Sequence, residues 1–284
     1  MNNTLDIKRF GLVLRKDMME NWKRYILLFL TMLGIMAIVL IWQSIQYYRV
    51  VERDGNSYMN LNTDMLSALL LMFGAFGILF ASTFMSPMNS KVKRIVYLVN
   101  PSSNLEKYLS RWIIVTVGYL IAFFAALWIV DALRVGICSA RFPALEVKFL
   151  DLTKLIYTGD GWKNNEYIFE HELFIIVTSL YFLVQSIFIL GSTFWEKTGF
   201  IKTFIAAAVI ILVFILLCRW TIILSYGGFN NFGSVLNSFD PVKKENISEN
   251  QAFVFAVAVI SVFTLANWIL AFFRLRESEI IKRL

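Results

Sequence analysis

The chain has 284 residues, of which 58% are hydrophobic and only 17% charged. A soluble domain carries nearer a quarter charged residues, so lipid is the solvent for most of this chain. The net charge of +7 is scattered over the ends of apolar runs, which excludes a nucleic-acid footprint.

Residues 5–24 come first. Leu5, Phe10, Leu14 and Met18 fall near helical spacing, with Lys8, Arg9, Arg15 and Lys16 between them. This pattern predicts an amphipathic, basic helix lying in the membrane interface. The first apolar run, Tyr25–Gln46, follows at once. It is too long, and its polar lead too extended, for a cleaved signal segment.

Five more runs reach the roughly 20 residues that a helix needs to cross the hydrocarbon. They are Met65–Met85, Trp112–Val130, Leu173–Trp195, Thr203–Leu224 and Ala252–Phe273. Of all six, only 203–224 holds a charge, Arg219. The predicted fold is an all-α polytopic membrane protein, a single domain over 1–284. Its spans are about 25–46, 65–85, 112–130, 173–195, 203–224 and 252–273. An inner loop occupies 86–111, and outer loops occupy 47–64, 131–172 and 225–251.

Charge sets the expected orientation. Residues 1–24, 86–111, 196–202 and 274–284 hold 17 Lys and Arg against 7 acids, a net +10. The remainder holds 10 basic and 13 acidic residues, a net −3. Positive loops stay in the cytoplasm, so both termini are expected there.

The outer loops carry "TGDGW" (158–162), a turn pattern, and "SYGGFNNFGSVLNSFDP" (225–241). The glycines break helix in the second, while Phe229, Phe232 and Phe239 keep it apolar. It fits either a surface loop or a segment dipping into the membrane under cover of protein. "NIS" (246–248) matches a glycosylation acceptor. Cys138 and Cys218 both fall on or near the outer side. A disulfide and two unlinked thiols both fit that placement.

Catalytic groups are sparse. The single histidine, His171, sits between Glu170 and Glu172 at the mouth of the fourth run. It lacks the further ligands a metal site needs, and the nucleophile a general base serves. No carboxylate lies within an apolar run, so no proton relay is expected. "GSTFWEKT" (191–198) mimics a phosphate-binding loop, but Glu196 stands where close approach to phosphate requires glycine. No cofactor, and no ATP site in this chain, is expected. Arg219 lies about 25 Å along a helix from Lys202, near the outer edge of the hydrocarbon. It fits snorkelling to the interface or a charge facing the bundle interior.

The inner loop ends in "NPSSNLEKYLSRW" (100–112). Pro101 suits a first helical turn, and Ser103 and Glu106 are spaced as a capping box. A helix is therefore predicted from near residue 102 into the third span, through Lys107 and Arg111. This stretch resembles the inner loop of ABC-2-type ABC transporter permeases, the Bacteroidota branch in particular. The shared pattern is Pro101, Ser103, Glu106, Lys107 and Tyr108. Asn100 departs from it, standing where leucine is usual. "GSTFWEKTGFIKT" (191–203) and "FFRLRESEIIKR" (272–283) echo the same family.

The resemblance implies the membrane subunit of an ATP-driven exporter in a bacterial plasma membrane. It implies two copies of a cytoplasmic ATPase as partners, which bind the ATP, and a second permease copy as homodimer or heterodimer. It makes Ser103, Glu106 and Lys107 candidates for ATPase coupling, with Glu196 and Lys197 as a second contact. It places spans two and five near the dimer axis, where Gly74, Gly77 and Ala207 are small-residue candidates and Arg219 a pathway candidate. A polytopic scaffold or sensor without a transport cycle is the alternative. The cargo is left open.

Overall fold

The computed structural model describes residues 6–54, 61–89, 94–95, 97, 99, 101–152, 156–157, 169–195, 199–226 and 249–281. The expected "TGDGW" turn, the 227–248 segment with its "NIS", and Glu196 and Lys197 lie outside the described residues. So do the side chains of His171 and Cys218.

Six helical stretches are long and apolar enough to cross a membrane. Helix α1 (Ile7–Asp54) runs unbroken for 48 residues. Helix α2 (Leu61–Ser82) ends in a turn and a short 3-10 helix, Ser86–Asn89. Pro87, without an N–H to give the ladder, suits this stop. Helix α3 (Asn104–Ile113) passes through one π-helical turn, Ile114–Gly118, into α4 (Tyr119–Arg141). The π turn falls on the β-branched run Ile113–Val117, which crowds an α-helix. Two residues each of β1 (Ile156–Tyr157) and β2 (Phe169–Glu170) pair in parallel, Ile156 with Phe169. Helices α5 (His171–Phe194), α6 (Gly199–Tyr226) and α7 (Glu249–Ile281) complete the chain.

Two helices run further than the expected spans. The amphipathic segment is helical and continuous with the first span, as the first part of α1. At 1.5 Å per residue α1 is about 72 Å long, more than twice the hydrocarbon thickness. Helix α4 likewise runs past the expected end of the third span, to Arg141.

The core has two main parts. One joins Met32, Met36 and Leu40 of α1 to Met65–Phe80 of α2 and Tyr119–Val130 of α4. The other gathers Ala81, Phe84, Tyr108, Phe188, Ile189 and Ala271, where α2, α3, α5 and α7 meet. Helices α5 and α7 share the largest interface. Small residues set the close approaches. A Cβ on Gly77 would collide with the Tyr181 ring, and one on Gly191 with the Thr203 side chain. Helix α6 differs from the rest: from Ala208 to Trp220 every described side chain is exposed in the single chain.

The ends of the helices sort as alternating spans require. Arg9 meets Glu106, Phe84 packs on Tyr108, Tyr108 on Phe272, and Arg274 lies 4.9 Å from the Phe194 ring. The start of α1, the α2–α3 junction, the end of α5 and the end of α7 therefore gather on one side, the net-positive side.

Candidate functional site

The junction between the start of α1 and α3 carries the densest buried polar chemistry on that side. It begins with the cap. Glu106 N–H donates to Ser103 Oγ at 3.3 Å, and Ser103 N–H donates to Glu106 Oε2 at 3.0 Å. Both halves of the expected capping box are thus formed.

Glu106 does more than cap. Its carboxylate accepts Arg9 Nε at 2.8 Å on Oε2 and Arg9 Nη2 at 2.7 Å on Oε1. It also accepts the Asp6 N–H at 3.0 Å. Glu106 is 0% exposed. The Arg9 guanidinium, helped by the Asp6 and Ser103 N–H groups, holds this carboxyl down at about 2. Two turns further along α1, Asp17 repeats the theme. It accepts Arg111 Nη2 at 3.2 Å and the Ser110 hydroxyl at 2.8 Å. Arg111 Nη1 reaches the Phe84 carbonyl at 3.3 Å. Lys107 Nζ and the Arg111 guanidinium both lie over the Tyr97 ring, 5.6 and 5.5 Å from its centre.

The local sequence explains the register. Arg9, Val13 and Asp17 are spaced i, i+4, i+8 and share one stripe of α1. That stripe, with Phe10 and Leu14, is the face turned to α3, while Met18 is exposed. The face expected from Leu5, Phe10, Leu14 and Met18 is therefore rotated toward its polar edge. Reading apolar residues alone missed Arg9 and Asp17 as packing groups, although their spacing carries the signal.

A second buried ion pair closes the other end of the same helices. Arg134 Nε donates to Asp131 Oδ1 at 2.7 Å, and Nη2 donates to the Lys148 carbonyl at 2.7 Å. Arg134 Nη1 reaches Ser44 Oγ of α1 at 3.4 Å, and Leu150 N–H donates to Asp131 Oδ2 at 2.9 Å. Arg134 is 1% exposed. A cavity of about 390 Å³ opens beside it, lined by Tyr47, Tyr48, Lys148 and Phe149 among others. Twenty residues separate Arg111 from Asp131, about 30 Å along a helix, which matches the hydrocarbon thickness. The sequence reading did not single out Arg134. The Asp-x-x-Arg spacing at 131–134 was its one available signal.

The candidate residues now have places. Ser103 is the cap. Glu106 and Lys107 are buried within the chain, where their side chains contribute to the junction. The surface beside them is made by Val99, Pro101 and Leu105, all exposed. Gly77 is packed within the chain against Tyr181. A Cβ on Gly74 would meet open space. Ala207 is half-buried, and Arg219 is exposed on α6, outside the packed interior. Cys138 is a buried free thiol beside Tyr48 and Phe142, and the side chain of Cys218 lies outside the described residues.

The architecture is that of a multi-pass helical membrane protein. Comparison of the chain with protein-family models, with curated proteins and with solved structures finds no match.

Proposed function

We propose that this chain is the membrane-spanning permease subunit of an ATP-driven, ABC-2-type exporter in a bacterial plasma membrane. A separate cytoplasmic ATPase, in two copies, supplies the ATP chemistry, and a second permease copy completes the pathway. The observation that carries this proposal is the capped α3 helix bolted to α1. A push on residues 99–105 reaches two membrane helices at once, through Glu106–Arg9 and Arg111–Asp17. That is the mechanical property a coupling helix requires. The apolar exposure of α6 supports a second copy, since from Ala208 to Trp220 every described side chain is exposed in the single chain.

In this proposal Ser103, Glu106 and Lys107 transmit force, while Val99, Pro101 and Leu105 touch the ATPase. The test is copurification with a soluble ATPase of the ABC class, sought first in the reading frames beside this one. Leu105→Glu should abolish copurification and stimulated hydrolysis, with thermal stability in detergent unchanged. Normal binding and stimulation by Leu105→Glu would overturn coupling through this junction. A chain with no ATPase partner at all would favour a scaffold or sensor.

A further inference from the structure

Among the described residues that bury polar atoms without a hydrogen-bond partner, four lie on the helices of the second core: Thr116, Gln185 (both amide atoms), the Tyr181 hydroxyl and Trp268 Nε1. Gln185 is fully buried and Thr116 nearly so. Such atoms are costly to leave unpaired in an apolar interior.

Helix geometry puts Thr116 and Gln185 on the same side of one aromatic stack. Tyr119 of α4 and Tyr181 of α5 both pack on Phe73, with ring centres 5.6 and 4.5 Å from it. Helices α4 and α5 run in opposite directions. Thr116 lies three residues from Tyr119 and Gln185 four residues from Tyr181, about 4.5 and 6 Å in the same direction. Each shares a helix face with its tyrosine. Thr116 and Gln185 therefore both lie about one turn from the stack, toward the net-positive side. Helix α7 borders this layer. Asn267 donates to Ser186 Oγ at 3.0 Å, next to Gln185, and Trp268 lies edge-on to Trp112, one turn beyond Thr116, at 5.1 Å. The backbone beside this layer is the π turn, Ile114–Gly118, and such turns weaken the helical ladder locally.

We propose that this layer is a polar binding site within the membrane-spanning bundle. It takes small uncharged molecules, or neutral parts of larger ones, that both donate and accept hydrogen bonds, such as amides and alcohols. Gln185, Thr116 and Tyr181 can each donate and accept, and Trp268 only donates. The rings of Tyr119 and Phe73 give the site a flat apolar wall. The apolar runs at 65–85, 112–130, 173–195 and 252–273 contain no charged residue, so the site offers an ion no opposite charge in exchange for its hydration. The site requires no ATPase and holds whether or not the chain is an exporter.

The test is thiol accessibility in nanodiscs, in a Cys138→Ala, Cys218→Ala background. Thr116→Cys and Gln185→Cys are compared with the fully buried controls Ala126→Cys and Ile189→Cys. The probes are the neutral hydroxyethyl methanethiosulfonate and its charged sulfonatoethyl counterpart. Both test positions should react with the neutral probe at least about tenfold faster than the controls, and about tenfold faster than with the charged probe. Excess acetamide should slow them and leave the controls unchanged. Labelling no faster than the controls would overturn the site. Equal labelling by both probes would overturn its neutrality. Thr116→Cys, close to threonine in size, decides alone if Gln185→Cys does not fold.

Discussion

Asp17 and Arg111 lie 94 residues apart in sequence and meet at 3.2 Å, with side chains only 6% and 2% exposed. An ion pair so shielded from water is sensitive to the loss of either partner, because the survivor remains a buried charge. Asp17→Asn is expected to destabilise the chain by about 3–5 kcal/mol. Replacing both residues with leucine should cost far less than either single change, since it removes the desolvation penalty along with the attraction. Thermal unfolding of the four variants in one detergent, treated as a double-mutant cycle, measures the coupling.

The Glu106 clamp gives a pH dependence of defined sign. Its carboxyl is held at about 2, below its ordinary value of 4.5, chiefly by the hydrogen bonds from Arg9. A depressed carboxylate contributes stability that is present above 4.5 and is lost as pH falls toward 2. Nitroxide labels at Leu12 and Leu105 should therefore give one narrow distance distribution at neutral pH. It should broaden as pH drops through this window. Glu106→Gln should be broad at every pH, and a distribution unchanged down to pH 2 would refute the clamp.

Much of this fold was legible in the sequence. Each of the six apolar runs maps onto a helix, with overruns of only three residues past α2 and one past α5, and the Ser103–Glu106 capping box forms as spaced. Uniform hydropathy and local side-chain caps are short-range properties, so a linear reading captures them. What it missed depends on distant partners. The continuity of α1 was hidden because its charged first part looks unlike a membrane segment. Asp17 and Arg9 are neutralised by α3, so they extend the helix without a hydropathy signal. Asp131 and Arg134 mark the span's apparent end for the same reason, while the helix runs ten residues past Asp131. The small residues were equally ambiguous. Gly74 and Gly77 are one turn apart, and only the position of Tyr181 tells which one packs within the chain.

Gly77→Leu tests that distinction. The added side chain must displace the Tyr181 ring, and overpacking of this kind costs about 1–3 kcal/mol. Tyr181→Ala should restore part of the loss by making room. Gly74→Leu meets open space in the single chain and should change its stability by less than about 0.5 kcal/mol. Unfolding of the monomer in detergent separates these effects from any change in self-association, which gel filtration follows in parallel.

The last prediction fixes the sides of the membrane. The structure gathers the start of α1, the α2–α3 junction and the end of α7 on one side. That side carries a net +10 by composition, and the other −3. Basic flanks resist translocation, so the +10 side is expected in the cytoplasm. In a Cys138→Ala, Cys218→Ala background, Leu105→Cys reports the first side and Glu146→Cys the second. Both positions are exposed, with the Glu146 side chain 82% accessible, so reactivity is limited by the membrane and not by packing. A membrane-impermeant maleimide added to intact cells should label Glu146→Cys and spare Leu105→Cys until the cells are opened. Fusion reporters at Asn3 and Leu284 should both read as cytoplasmic. Labelling of Leu105→Cys in intact cells, with protection of Glu146→Cys, would invert the orientation. The ATPase would then have no access to the α1–α3 junction, and the proposed function would fall with it.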